Sequence, residues 1–305
     1  MKKNLIAANP GGISNRLKCL ISMLRISERY NSKLYMHWIR NAQCGAEFHR
    51  LFDNEFNMIS KEELDKIEDK KITQTYRFIT FPEEIEDGFA KVYPTKRGNN
   101  IDFEFNRIPM SVRGNIISYL ERLKPIPIIK SVVEKFVVKH DVENLVGVHI
   151  RRGDFLDGKE GLGKVSSDNK FILRMKELLK DDPSTKFLLC TDCKETEDEF
   201  QELFKDKIII YKKERRERTS RLATQQSLVD LLLLSKTNHI IGTYRSTFNE
   251  MAWWLGGCKA KVDIIIDNEL NEQYEIKKEK MSRSKYLKLK KLAYKLLCKV
   301  RLFKK

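Results

Sequence analysis

A chain of 305 residues, 41% hydrophobic and 33% charged, has enough apolar material for a sizeable core and two domains of ordinary size. Its formal net charge is +16, but residues 283–305 hold ten Lys or Arg and no acid. Anionic partners are therefore expected, with the body only mildly basic. Six cysteines and an opening apolar run that soon meets Pro10-Gly11-Gly12 argue against a disulfide framework, a secretory leader or a membrane span, and point to the cytoplasm.

From the start of the chain, Lys3 to Ala8 reads as a strand, Asn9 to Gly12 as a turn, and Ser14 to Tyr30 as a helix. That helix has Leu17, Leu20, Ile21, Leu24 and Ile26 on its apolar face and Ser14 or Asn15 as its cap. A strand, glycine turn and helix present backbone N–H groups to an anion. A Gly-Gly pair before a helix is also often only a tight turn, and Asn15 and Arg16 are the polar groups at this mouth. Lys33 to Trp38 reads as a second strand. The next hundred residues are less regular, with an apolar run at Phe56 to Ile59, a capped acidic helix from Ser60, an aromatic run from Tyr76 to Phe81 and little pattern from Lys96 to Asn106.

Pro125 to His140 reads as an amphipathic helix leading into the stretch with the strongest chemical signal, LVGVHIRRGDF from Leu145 to Phe155. An apolar strand breaks there into His149, Arg151, Arg152 and Asp154. In open α/β sheets ligands bind outside the carboxyl ends of strands, and a guanidinium fork fits phosphate or carboxylate. Asp154 can hold one arginine while the other faces ligand. The plain alternative is a polar turn with a surface ion pair.

Helices at Phe171 to Leu179, Glu195 to Phe204, Ala223 to Leu234 and Ser246 to Leu255 then alternate with strands. The strands are Lys186 to Thr191, Lys207 to Tyr211, Asn238 to Gly242 and Val262 to Ile266, so a parallel sheet is expected. Cys190-Thr-Asp-Cys193 lies between strand and helix, where a redox pair would sit, but reads better as two small strand-end residues beside the carboxylate of Asp192. Gly158 to Val165 nearly matches a phosphate loop and fails at Val165, where Ser or Thr would ligate magnesium. It reads instead as a mobile loop with Asp157 and Glu160 near the site. Ser246 or Thr247 caps a helix whose first N–H groups can also bind phosphate. No Asp-x-Asp occurs, so a metal-bridged diphosphate site of that type is unsupported. Tyr286 to Lys305 places Leu289, Leu292, Leu296, Val300 and Phe303 on one stripe among lysines, a basic amphipathic helix suited to an anionic membrane surface or to packing on its own domain.

Three motifs, Gly11-Gly-Ile-Ser-Asn15-Arg16, His149-Ile-Arg-Arg-Gly-Asp154 and Ser246-Thr-Phe, together resemble the fucosyltransferase superfamily of bacterial α-1,2-, nodulation and core α-1,6- and protein O-fucosyltransferases. H-x-R-R-x-D is the specific one. The resemblance implies a GT-B-like α/β fold of two Rossmann-like domains facing a cleft, GDP-fucose as donor, inversion at the sugar carbon, and neither metal nor cofactor. It implies that Arg151 binds the β-phosphate of GDP, that His149 and Asp154 shape the site, and that Asp192 stands where the family has an acidic nucleoside contact. Ser246 and Thr247 match its phosphate-binding helix mouth, and Asn15 matches a polar residue near the donor. Ser14-Asn15-Arg16 departs from the family's Gly-Asn-Gln, and no catalytic base can be matched residue by residue.

The expected donor-binding residues are thus Gly12, Asn15, Arg16, His149, Arg151, Arg152, Asp154, Asp192, Ser246 and Thr247. Arg151 doubles as the charge that stabilises the departing diphosphate, and Asp157 or Glu160 is the candidate base. The expected domains are 1–124 on the acceptor side, 125–280 for the GDP-sugar, and a basic tail, 281–305, on an anionic membrane surface. The acceptor is a glycan or lipid-linked oligosaccharide, and no nucleic acid is expected. Two rivals remain: a glycosyltransferase of another nucleotide sugar, and a non-catalytic basic module that binds nucleic acid or anionic lipid.

Overall fold

The computed structural model describes residues 4–75, 78–79, 108, 110–153 and 162–272. Two parallel sheets organise them. In the first, β1 (Asn4–Ala7) lies between β2 (Leu34–Met36) and β3 (Lys70–Thr73). The second has the order β6-β5-β4-β7-β8, with β4 at Val146–Ile150, β5 at Phe187–Thr191, β6 at Ile208–Ile209, β7 at His239–Thr243 and β8 at Lys261–Ile265. Counted from β4, this order is the 3-2-1-4-5 of a doubly wound sheet. Its topological switch point falls between β4 and β7, where the crevice outside the strand ends takes ligand.

The helices are α1 (Ile13–Arg29), α2 (Lys61–Lys66), α3 (Met110–Glu121), α4 (Pro127–His140), α5 (Asp168–Asp181), α6 (Lys194–Phe204), α7 (Arg221–Leu234) and α8 (Thr247–Leu255). Phe171 and Met175 of α5 and Phe200 and Phe204 of α6 pack with Val148, Ile150 and Leu189 on one face of the large sheet. Buried side chains of α4, α7 and α8 join Leu188, Cys190 and Ile240 on the other, within a cluster that also holds Leu17, Leu20 and Ile21 of α1. One apolar core therefore runs from the small sheet's helix to the large sheet. Every residue of β5 is buried, as a strand covered on both faces requires.

Most expected elements form, and the exceptions have physical causes. Helix α1 is capped by the backbone of Gly12, with no side-chain cap bond, so neither Ser14 nor Asn15 serves as the cap. Its expected polar face is also buried: Arg16, Lys18, Ser22 and Arg25 are all inside. Residues 78–79 and α3 cover that face, and Arg25 donates to Asn115 at 2.6 Å and to the carbonyl of Ile79 at 2.7 Å. Neither strand β3, where Lys70-Lys-Ile-Thr73 shows no apolar run, nor α3, just beyond the stretch with little pattern at Lys96 to Asn106, was expected. The capped helix anticipated from Ser60 forms as α2, and the structure shows its cap to be a reciprocal capping box of Ser60 and Glu63. The strand expected over Lys207 to Tyr211 shortens to Ile208–Ile209 at the sheet's edge. Phe56 to Ile59 contributes only an isolated bridge from Met58 to Met36. Within the expected mobile loop, Leu162–Val165 forms one helical turn, and Val165 is buried against Tyr244.

Candidate functional site

The site grows from the carboxyl ends of β4 and β7. The backbone N–H of Arg151 donates to Thr243 Oγ1 at 2.9 Å, and that hydroxyl donates to the carbonyl of His149 at 3.1 Å. Thr243 thus stitches the two strand ends together across the switch point. The next two backbone N–H groups, of Arg152 and Gly153, donate to Asp192 Oδ1 at the end of β5, at 2.8 and 3.2 Å. A Cβ on Gly153 would lie 2.7 Å from Asp192 Oδ2, so a side chain here would push the Asp192 carboxylate from its place at the turn.

The two adjacent arginines part company here. Arg152 is 1% exposed and turned inward, donating to Asp168 Oδ1, to the carbonyl of Ser166 at 2.9 Å and to its neighbour's carbonyl at 2.8 Å. Expected at the donor, it instead fastens the strand end to the start of α5. Arg151 stays partly exposed, with Nη1 3.4 Å from Asp192 Oδ2. The carboxylates against this arginine pair are thus Asp192 and Asp168. Asp154, expected to hold one of them, lies outside the described residues, as do Asp157 and Glu160.

A third guanidinium arrives unannounced. Arg218, from the loop between β6 and α7, places Nη2 3.9 Å from Asp192 Oδ2 and donates through Nη1 to Gln43 Oε1 at 2.5 Å. Its loop is held from below by buried charge pairs: Lys213 with Asp230 at 2.7 Å, and Arg216 on both oxygens of Glu197 at 2.8 Å. Asp192, anticipated at a nucleoside, is therefore the hub that orients two cations and the strand-end turn.

His149 sits beneath the mouth of α8. Its Nδ1–H donates to Asn249 Oδ1 at 3.1 Å, and its ring stacks on Phe248 at 4.6 Å. A Cβ on Gly242 would meet Asn249 Nδ2 at 2.4 Å, so the glycine leaves room for Asn249 beside the histidine. Burial pulls the imidazole's pKa down to about 3, against an opposing pull from Asp192 and with help from Arg151. His149 is a neutral wall of the site. Ser246 caps α8, accepting from the N–H of Phe248 at 3.4 Å, and Thr247 is its first helical residue. Arg245, just before the cap, takes a left-handed backbone with φ 59°.

At the α1 mouth, Gly12 is the cap and Asn15 is partly exposed in the first turn. Arg16 faces inward: it donates to the carbonyls of Gly11 at 2.6 Å and Ile39 at 2.8 Å and stacks over Trp38 at 5.0 Å. It braces the glycine turn. The turn at 41–45 ties this mouth to the start of α7, since Asn41 donates to the carbonyl of Pro10 at 2.7 Å and the N–H of Gly45 to Thr224 Oγ1 at 3.0 Å. Gln43 in the same turn receives Arg218.

The sequence reading missed Arg218, Thr243 and Asn249. A run of basic residues directly after a strand was the available sign for Arg218, and a hydroxyl ending an apolar strand was the sign for Thr243. Cys190 is buried and Cys193 is the residue preceding α6, both as free thiols. Among the described residues no cluster of three or more His, Cys, Asp or Glu could hold a metal ion, and no helix is long and apolar enough to cross a membrane.

Residues 128–290 match the family described as glycosyl transferase family 11. Among solved structures, the chain is similar to a NodZ α-1,6-fucosyltransferase soaked with GDP-fucose, at 17% identity and TM-score 0.53, covering 84% of this chain and 93% of that one. It is likewise similar to fucosyltransferase NodZ from Bradyrhizobium, at 16% identity and TM-score 0.52 over 83% and 92% of the two chains. POFUT1 in complex with GDP matches at 12% identity and TM-score 0.51, over 87% and 98%. These likenesses establish a shared fold. No curated protein sequence matches.

Proposed function

Because the chain belongs to glycosyl transferase family 11 and is a glycosyltransferase, we propose that it moves fucose from GDP-fucose to a hydroxyl of a glycan or lipid-linked oligosaccharide, with inversion and without a metal. One observation carries the reading: Arg151 and Arg218 converge on the carboxylate of Asp192 at the switch point, beside the capped mouth of α8. A diphosphate there meets fixed guanidiniums and first-turn N–H groups.

The chemistry follows from where charge appears. The acceptor hydroxyl attacks the anomeric carbon from the side opposite the diphosphate, the bond from that carbon to the β-phosphate oxygen breaks, and GDP leaves with an added negative charge. Arg151, pre-oriented by Asp192 and by its own backbone bond to Thr243, stabilises that charge more than it stabilises the ground state. This is the role a divalent cation would otherwise fill. The acceptor's proton passes to a carboxylate, for which Asp157 and Glu160 are the candidates by their place in the sequence. The assignment of 1–124 to the acceptor, of 125–280 to the donor and of the basic tail to an anionic membrane surface completes the proposal.

The test is a melting curve of the full chain with GDP, GDP-fucose, UDP and ADP. A ligand that binds only the native state raises the melting temperature. A rise with the guanosine ligands alone is expected; an equal rise with all four, or with none, removes the donor assignment.

A further inference from the structure

Helix α1 and helix α8 are joined by an ion pair that the donor chemistry does not use. Lys18 and Glu250 are bonded to each other, and both side chains are fully buried. Aromatic rings border them: Lys18 Nζ lies 5.7 Å from the ring of Phe78, which packs edge-on against Trp254 at 4.9 Å. Removing two ions from water costs several kcal/mol for each, and an apolar pair of similar volume is often as stable or more so. Adhesion between the helices is already supplied by the common core. What the pair adds is direction, since apolar surfaces tolerate a slide that a buried hydrogen-bonded ion pair does not.

The position of the pair gives that direction a use. Lys18 is three residues beyond Asn15, and Glu250 four beyond Ser246, so the bond lies about 4.5 and about 6 Å along the two helices from the groups at their mouths. Helix α8 is independently fixed to the donor side, because Asn249, the residue before Glu250, holds His149. Helix α1, with Gly12 and Asn15 at its end, is tied to that side at its mouth by the turn at 41–45 and, one turn further in, by this pair. We propose that Lys18–Glu250 is a positioning pair, which sets the α1 mouth against the donor sugar and so governs transfer while leaving nucleotide binding to the large sheet.

This rests on the GDP-fucose reading above, and the experiment separates the two. The full chain and the variant Lys18→Met/Glu250→Leu are compared in melting temperature, in the shift produced by GDP, and in turnover of GDP-fucose with water as acceptor. In that reaction water attacks the anomeric carbon, the bond to the diphosphate breaks, and GDP, free fucose and a proton result. The double variant is expected to melt within a few degrees of the native chain or above it, to keep the GDP shift, and to turn over at least tenfold more slowly. Native turnover in this stable variant overturns the positioning role while the GDP shift still stands. Absence of a GDP shift in the native chain overturns the donor reading and this role with it. Should the double variant not fold, Glu250→Gln, which keeps the shape and one hydrogen bond, is expected to lose at least threefold in turnover with the GDP shift intact, and native turnover there overturns the proposal.

Discussion

The two strand-turn-helix units that open onto the site, β1 to α1 and β7 to α8, share a plan and differ in how their polar groups are employed. At α8 a side chain caps the helix, and the neighbouring strand end offers a guanidinium held but not covered. At α1 the cap is glycine backbone, and the nearby arginine is taken up by the carbonyls of Gly11 and Ile39. The same pattern on paper thus yields one mouth beside a partly exposed arginine and one whose arginine is buried in carbonyl contacts. The proposed chemistry is placed where a cation is oriented by a carboxylate and stays partly exposed.

The sharpest way to break that contrast is to remove one arginine from each mouth. Arg151→Ala is expected to lower turnover of GDP-fucose by about a hundredfold to a thousandfold, equal to about 3 to 4 kcal/mol of transition-state stabilisation, with the fold kept. Arg16→Ala is expected to cost stability and to leave the GDP-induced melting shift in place. Comparable losses of turnover in both would erase the distinction between the mouths.

A smaller effect sharpens the division within the arginine pair itself. Arg152→Met removes bonds to Asp168, Ser166 and the Arg151 carbonyl, and urea titration should show a loss on the order of 2 kcal/mol. The GDP shift should persist, and a vanished shift in a folded variant would return Arg152 to the donor site.

The smallest expected effect is in pH. His149 has its folded pKa lowered by burial to about 3 from an ordinary 6.5, so the unfolded chain takes up a proton that the folded chain refuses. Stability is therefore full above pH 6.5 and declines as pH falls from there toward 3. Between pH 7 and 5 the native chain should lose up to about 2 kcal/mol more than His149→Gln, measured by urea midpoints. Equal losses would mean that the imidazole is charged in the fold.

Much of the scaffold was legible because its signals are local. Apolar runs marked β4, β5 and β7, helical spacing marked α5 to α8, and Ser60 announced α2 as a capped acidic helix. The failures were long-range. Lys70 to Thr73 became a strand because β1 offered it a free edge, and α1 lost its solvent face because α3 and residues 78–79 cover it. Near the site, the pairing of Arg218 was hidden for the same reason: its partners, Asp192 and Gln43, are 26 and 175 residues away in sequence.

What the sequence alone determined is an α/β chain with parallel strands and a His149-Ile-Arg-Arg motif at a strand's carboxyl end, since strand runs and helix periods are properties of neighbouring residues. What only the tertiary structure decided is which arginine faces outward. Two identical side chains, one residue apart, met Asp168 on one side and Asp192 on the other. The distance and burial of a carboxylate brought in by another element, and not the identity of the arginine, separate the buried structural cation from the one left partly exposed.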